Sequence, residues 1–354
     1  MAYTSVDNPE LFFQAKIYSG NGGTQSITLD GSEDMQPDWV WLKSRSNANG
    51  HELYDSVRGV EKPIYSNSSD EELTNANGLT AFGSDGFTLG LGASVNGSGR
   101  TFVSWNWKAG TSVSGNTGGS GTAKTYSGSV NTTSGFSITK FVGNGTAGHT
   151  IPHSLGVAPK WIVIKNLTSG STNWQTYHDK LDNGAGTHEV FLDLNNAQNA
   201  SSGLMNNTAP TSTVVTKGTG SYGNENNSNH IMYAFAEKQG YSKFGSYTGN
   251  GNADGTFAYT GFKPAFVIIK RTDSADNWYV YDTKRDTENP LAVALNTDTS
   301  GTEFSTSNIL DFLSNGFKLR SSEATTNASG GDYIYIAFAE NSFVNSNGVP
   351  NNAE

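Results

Sequence analysis

The side chains with the most obvious capacity for chemistry are two histidines in the segment HTIPHS, His149 and His153. On a helix this spacing would bring both imidazoles onto one face, where they could bind a metal, but Pro152 excludes a helix here. Along a strand the two rings would lie about 13 Å apart, too far to share one ion. We therefore predict no metal site and interpret both histidines as turn residues.

Carboxylates suited to catalysis or to calcium binding are scattered along the chain. Glycoside hydrolysis needs two facing carboxylates, whereas the recurring acids are single aspartates at strand ends, Asp55, Asp179 and Asp282. The loops TDSADN (272–277) and NADG (252–255) carry oxygen ligands suited to Ca²⁺, although neither has the closing Glu of a calcium loop. We predict no catalytic residue and no required cofactor, and Ca²⁺ stays open.

Two tryptophans are the best candidates for ligand contact. Trp174 and Trp278 follow polar loops, and each is preceded by an amide, Asn173 and Asn277. An aromatic ring beside an amide suits a glycan or a protein surface. The alternative is that both rings fill the core of the fold. The matching position in the segment SNANGHELYD (46–55) is polar, so a site common to every copy is not expected.

The elements that carry these residues recur along the chain. A proline lies six residues before a lysine in each of QPDWVWLK (36–43), APKWIVIK (158–165) and KPAFVIIK (263–270). An aromatic and a Gly-Asn-Gly turn lie upstream in YSGNG (18–22), FVGNG (141–145) and YTGNG (247–251). Anchors that keep their order and spacing indicate three copies of one unit. The second copy departs from the others, because STVVTKG (212–218) replaces the SDGFTLG and SNGFKLR segments.

Short apolar runs between Gly, Asn and Asp turns, without a helical period, indicate antiparallel strands. We predict an all-β chain of three tandem antiparallel β-sandwich modules, of jelly-roll or concanavalin-like type, at 1–110, 134–239 and 240–343. Residues 111–133 are rich in Gly, Ser and Thr, which predicts a flexible linker. Residues 344–354 are predicted to be a polar tail.

Composition narrows the classes of function. Gly numbers 42 and aromatic residues reach 11%, which favours a folded β protein with many turns over a disordered chain. The net charge of −10 and the lack of a basic patch disfavour nucleic-acid binding. Cys is absent, so disulfides and thiolate metal sites are excluded. We predict no membrane insertion and, without a secretory signal at the first residues, synthesis in a cytoplasm.

The segments HSLGVAPKWIVIKN, YIYIAFAENSF, LYDSVRG and LTAFGSDGFTLG resemble a repeated module of virion and tail-fibre-like proteins of marine tailed bacteriophages, including those that infect cyanobacteria. The resemblance covers the chain apart from the predicted linker and tail. It brings no catalytic residues with it.

This resemblance implies a non-enzymatic virion structural protein on the particle exterior, assembled in the host cytoplasm. A tail fibre or adhesin that attaches to the host surface is the first expectation, and a capsid decoration protein is the alternative. A carbohydrate-active depolymerase and a cellular lectin-like module are further alternatives. The implied partners are other virion proteins and a host-surface glycan or protein, and a homotrimer is the preferred oligomer.

Overall fold

The computed structural model describes residues 4–350 and is built from antiparallel strands. Within these residues no helix is longer than four residues, because Gly, Asn, Ser and Thr interrupt every run that a helix would need. The prediction of an all-β fold made of antiparallel sheets is confirmed. None of the helices in the described range has the length and apolar character to span a bilayer.

The first part of the chain forms a five-stranded sheet of order β1-β8-β3-β4-β5 and a three-stranded sheet of order β2-β7-β6. A 3₁₀ turn at Pro9–Leu11 precedes them. The elements are β1 (Phe13–Ser19), β2 (Gln25–Ile27), β3 (Trp39–Ser44), β4 (Glu52–Asp55), β5 (Gly59–Tyr65), β6 (Leu79–Gly83), β7 (Gly86–Leu89), α1 (Ala93–Asn96) and β8 (Thr101–Trp107).

The second part forms an eight-stranded and a three-stranded sheet. Its elements are β9 (Thr111–Asn116), β10 (Gly118–Gly119), β11 (Thr125–Asn131), β12 (Phe136–Val142), β13 (His149–Pro152), β14 (Trp161–Asn166), β15 (Gln175–His178), a 3₁₀ turn (Leu181–Gly184), β16 (His188–Phe191), β17 (Asn199–Ala200), α2 (Ser202–Met205), β18 (Val214–Lys217), α3 (Ser221–Asn224) and β19 (Asn229–Phe235). The sheet orders are β17-β16-β15-β14-β19-β12-β11-β9 and β10-β13-β18.

The third part forms one eight-stranded sheet of order β20-β27-β22-β23-β24-β25-β26-β21. Its elements are β20 (Ser242–Thr248), β21 (Phe257–Tyr259), β22 (Phe262–Arg271), β23 (Trp278–Asp282), β24 (Leu291–Asn296), β25 (Phe304–Leu313), β26 (Gly316–Leu319), α4 (Ala324–Asn327) and β27 (Asp332–Ser342). We call residues 13–107, 111–235 and 242–342 the first, second and third repeat, because every sheet takes its strands from only one of these ranges.

The same five-strand order recurs in each repeat: β1-β8-β3-β4-β5, β12-β19-β14-β15-β16 and β20-β27-β22-β23-β24. The strand after the recurring proline is central in each case, because its β-branched and aromatic residues are buried on both faces. Strand register defines equivalent residues. Trp39 pairs with Asp55, Trp161 pairs with His178 and Phe266 pairs with Asp282.

This register corrects the alignment of the strand-end acids. His178, and not Asp179, is the equivalent of Asp55 and Asp282. Asp179 lies one residue beyond the strand and forms ion pairs with Lys160 and Lys180.

The prediction of a flexible linker at 111–133 is wrong. β9 pairs with β11, and β11 pairs with β12, so these residues extend the second repeat's large sheet. Backbone hydrogen bonds form a strand whatever the side chains are, and the nearly complete exposure of β9 explains its polar composition.

The predicted polar tail lies within the described residues up to 350. Val344 forms an isolated β-bridge with Pro350. Ser346 donates its backbone N–H to Asp7 at 2.7 Å, which joins the two end segments of the chain.

One hydrophobic cluster runs through all three repeats. It includes Trp39 and Trp107 of the first repeat, Phe235 of the second, and Phe266 and Phe338 of the third. Three smaller clusters lie one in each repeat. Whether each repeat folds alone stays a prediction, since this shared core belongs to none of them singly.

Candidate functional site

The two tryptophans predicted for ligand contact lie at the contacts between repeats. Trp174 and Trp278 are fully buried, and Asn173 and Asn277 are half-buried. The prediction that these tryptophans form a surface platform is therefore wrong. Trp278 begins β23 and Trp174 immediately precedes β15, and each ring packs against another repeat that the local sequence does not identify.

The indoles bind main-chain carbonyls of the preceding repeat. Trp174 donates its Nε1–H to the carbonyl of Tyr65 at 2.8 Å, and Trp278 donates to the carbonyl of Phe191 at 2.9 Å. These acceptors are equivalent, because Tyr65 pairs with Glu52 and Phe191 pairs with Gln175 at the same place in each sheet.

His51 takes the same position in the first repeat and closes the set. Its Nδ1 accepts the indole N–H of Trp41 at 2.8 Å, so Nε2 carries the proton and donates to the carbonyl of Asn296 at 2.9 Å. Asn296 is the third equivalent acceptor, since it pairs with Tyr279. The contacts run from second to first, third to second and first to third repeat. The three repeats therefore form a closed ring within one chain.

We call each contact region between two repeats a seam. The recurring lysines form a second set of hydrogen bonds across the seams. Lys43, Lys165 and Lys270 are buried, and burial lowers the pKa of each amine to about 8. Each ammonium donates to a backbone carbonyl of the same neighbouring repeat that accepts from His51, Trp174 or Trp278: Lys43 to Ser300 at 3.3 Å, Lys165 to Ser69 at 2.7 Å and Lys270 to Asn195 at 3.0 Å. Each recurring lysine therefore bonds two repeats together.

Backbone hydrogen bonds repeat the same pattern without side chains. The three bonds are Glu72 N–H to Leu167 O at 3.1 Å, Gln198 N–H to Thr272 O at 2.9 Å and Glu303 N–H to Arg45 O at 2.9 Å. Every donor lies seven residues after the carbonyl that accepts from Trp174, Trp278 or His51, and every acceptor lies two residues after a seam lysine.

The strand-end position also faces the next repeat. Tyr233 donates its hydroxyl to Asp55 at 2.7 Å, and Trp105 donates its indole N–H to Asp282 at 3.0 Å. In the second repeat His178 donates from Nε2 to the carbonyl of Tyr335 at 3.2 Å, because its Nδ1 accepts the backbone N–H of Lys180. Each seam therefore has a hydrogen bond at the strand-end position as well.

Two of these positions are charged, and both charges are paired. Asp55 binds Arg58 at 2.5 Å, and Asp282 binds Arg285 at 2.5 Å, with all four side chains fully buried. In the second repeat this ion pair is absent from its place: Leu181 stands where the arginine would be, and the uncharged His178 stands where the aspartate would be. Burial lowers the pKa of His178 to about 4, with partial opposition from its hydrogen bond to Tyr335.

Three aromatic rings meet at the centre of the ring of repeats. Trp107, Phe235 and Phe338 occupy equivalent positions, since each pairs with the strand residue opposite the strand-end position. Their ring centroids are separated by 6.3 Å, 5.7 Å and 5.6 Å. This nearly equilateral triangle marks a pseudo-threefold axis.

Three buried asparagines explain the Gly-Asn-Gly turns and were missed in the sequence. Asn96, Asn224 and Asn327 end the short helices α1, α3 and α4. Each side-chain carbonyl accepts the backbone N–H of the turn asparagine: Asn21 at 3.1 Å, Asn144 at 3.1 Å and Asn250 at 2.9 Å. Asn96 and Asn327 each begin an Asn-x-Ser-Gly segment, which is the available sequence signal, but the second repeat has NENN (224–227) at this place.

The first glycine of each turn is required by close packing. A Cβ on Gly20, Gly143 or Gly249 would lie 2.3 Å from the backbone oxygen of the residue after the asparagine. The recurring turn is therefore held in place by close packing and by the buried asparagine.

The candidate metal residues serve other contacts. His149 is a buried strand residue, and not a turn residue, with hydrogen bonds to Asn224 at 2.8 Å and Thr117 at 2.6 Å. In the candidate calcium loops Asp273 binds Arg271 at 2.9 Å and Asp254 binds Lys318 at 2.7 Å. Within residues 4–350, no group of three or more His, Asp or Glu side chains is arranged to hold a metal. Ca²⁺ binding stays a prediction.

A cleft of about 560 Å³ lies at the seam between the first and third repeats. Its floor is apolar and includes Phe13 and Phe312. Two of its acids are held by structural contacts: Asp30 by Lys16 at 3.2 Å and Lys284 at 3.4 Å, and Asp286 by the backbone N–H groups of Ala292 at 2.7 Å and Val293 at 3.1 Å.

A family model for a domain of unknown function (DUF7483) matches residues 8–342. The chain belongs to this family. The region that matches the DUF7483 family includes all three repeats. A search of curated proteins and a search of solved structures each find no match to the chain.

Proposed function

We propose that the chain is a non-enzymatic structural protein of a tailed-bacteriophage virion, where it forms part of a tail fibre and contributes to host attachment. The observation that carries this proposal is the closed ring of three repeats. Its recurring charged and aromatic side chains bind neighbouring repeats, which is what a rigid building block requires.

The internal threefold arrangement bears on the expected trimer. Fibres and capsid lattices offer partners with threefold symmetry, and a chain of three repeats about a pseudo-threefold axis can match such a partner one to one. A homotrimer of chains stays a proposal beside this single-chain arrangement. Sedimentation equilibrium of the purified chain distinguishes a monomer from a trimer.

An exposed aromatic pair favours host attachment over capsid decoration. Phe257 and Tyr259 are 41% and 54% exposed on β21, the edge strand of the third repeat. By register their equivalents in the first repeat are Ser26 and Thr28, because Ala258 and Ile27 pair with equivalent phenylalanines. Aromatic residues dominate the contacts of binding surfaces.

Location on the particle tests the proposal. We expect gold-labelled antibodies against the chain to mark the tail fibres of the phage that encodes it. Label over the head would support the capsid-decoration alternative, and absence from purified particles would overturn a virion role. Phage carrying Phe257→Ser with Tyr259→Thr, which copies the first repeat, should adsorb to host cells at least about 10-fold more slowly.

The cleft between the first and third repeats keeps a depolymerase as the second candidate. Its rim carries Glu288, an exposed acid close to Asp286. Release of reducing ends from host polysaccharide, abolished by Glu288→Gln, would establish this activity and contradict a non-enzymatic role.

A further inference from the structure

The second repeat has a polar group where the other two repeats have apolar core. Val215 pairs with Ile151 as Phe87 pairs with Ile27 in the first repeat. Two residues further along the strand, Lys217 therefore takes the place of Leu89 and of its third-repeat counterpart, Leu319. All three side chains are fully buried.

Lys217 lies beside a buried amide. A Cβ placed on Gly223 would lie 2.5 Å from Gln175 Oε1 and 2.7 Å from Lys217 Nζ, so these two atoms are within about 5.2 Å of each other, the sum of the two distances. Because Gly223 has no side chain, nothing from that residue separates them. Neither atom has a hydrogen-bond partner among residues 4–350.

A buried acid completes the group. Gln175 donates its Nε2–H to Glu189 Oε2 at 2.9 Å, and Glu189 Oε1 accepts from Asn199 at 3.3 Å. Burial lowers the pKa of Lys217 to about 7, so a large fraction of the amine is uncharged near neutral pH. An uncharged amine is the nucleophilic form.

We propose that Lys217 and Gln175 form an intramolecular isopeptide bond. Gln175 lies on β15 of the large sheet and Lys217 on β18 of the small sheet. The bond therefore ties together the two sheets of the second repeat. The first and third repeats have leucine at the lysine position and do not form it.

The reaction needs no oxidant and no cofactor. The lone pair of Lys217 Nζ attacks Gln175 Cδ and forms a new C–N bond. The bond from Cδ to Nε2 then breaks, and Nε2 leaves as ammonia. The Glu189 carboxylate, which already accepts a hydrogen bond from Nε2, carries the proton from the attacking amine to the leaving nitrogen.

Mass spectrometry of the full chain tests the bond directly. We expect the intact protein to be lighter than its sequence by one ammonia. A tryptic digest should contain residues 166–180 joined to residues 181–238, with no cleavage after Lys217. Both features should be absent in Lys217→Leu, which copies the other repeats, and in Glu189→Gln, which keeps the amide and the amine.

The joined peptides decide the result, because Asn-Gly sequences also lose ammonia when they cyclise. An intact mass equal to that of the sequence overturns the proposal. So does an ammonia loss that maps to an Asn-Gly site while residues 166–180 appear as a free peptide. The measurement on the unsubstituted protein does not depend on whether either variant folds.

Discussion

Trp105 and Asp282 are 177 residues apart in the chain, and the indole N–H of the first binds the carboxylate of the second at 3.0 Å. This contact joins the first repeat to the third and closes the ring. Asp282 also binds Arg285, so the indole completes the coordination of a buried charge.

Trp105→Phe should destabilise the protein by about 1–3 kcal/mol, because it leaves a buried carboxylate oxygen with one donor fewer. The free energy of unfolding in urea measures this. Trp107→Phe is the matched control, because the Trp107 Nε1 has no hydrogen-bond partner within residues 4–350 and its equivalents are phenylalanines. Equal losses in the two variants would show that only ring volume matters.

Lys165→Met should destabilise the seam between the first and second repeats by about 2–4 kcal/mol. It removes the donor to the carbonyls of Ser69 and Thr172 and leaves these acceptors buried without it. Lys160→Met removes a lysine of the same repeat that is partly exposed and bound to Asp179, and it should cost less than about 1 kcal/mol. Chemical unfolding of both variants makes the comparison, and an equal effect would refute the role of the seam lysine.

Stability should rise as the pH is raised from about 8 to about 10. In the unfolded chain the amines of Lys43, Lys165 and Lys270 have a pKa of 10.5, whereas burial lowers it to about 8 in the fold. Between these values the unfolded state binds more protons, so deprotonation favours the folded state.

Above pH 10 the trend should reverse, because burial raises the pKa of Tyr233 and Tyr281 and unfolded tyrosines ionise first. Urea unfolding at a series of pH values measures both limbs. The rise should be smaller in Lys165→Met than in the unsubstituted protein. A steady decline from pH 8 would contradict the assignment of the seam lysines as buried amines.

Asn327→Ala should destabilise the third repeat by about 2–4 kcal/mol. The side chain accepts from Asn250 and donates to Ser321 at 2.7 Å and Asn252 at 2.8 Å, and all of these bonds are lost together. Asn252→Ala alters an exposed residue of the same turn and should change stability by less than about 0.5 kcal/mol. Thermal unfolding followed by circular dichroism checks both variants.

The strands and their repetition were predictable, since Trp39–Lys43 and its counterparts combine β-branched and aromatic residues with a fixed proline and lysine. The contacts between repeats were not predictable. Burial of Trp174 was one of the two alternatives, but its partner, Tyr65, lies 109 residues away, so the local sequence gives no sign of which carbonyl it binds. The linker prediction for residues 111–116 was wrong for a different reason: an exposed edge strand needs no apolar side chains, so its composition resembles that of a linker. In the sequence, Asp179 was aligned with Asp55 and Asp282 because it is also an aspartate, although the adjacent His178 is their equivalent by register.

A ring built from one polypeptide can vary its parts independently. In an assembly of identical subunits every substitution appears at all three positions, so Lys217 would enter three cores at once. Here the second repeat has the lysine, and its two counterparts have leucine. A single chain can therefore carry a distinct core in one third of the molecule while the lysine contacts between repeats recur in all three.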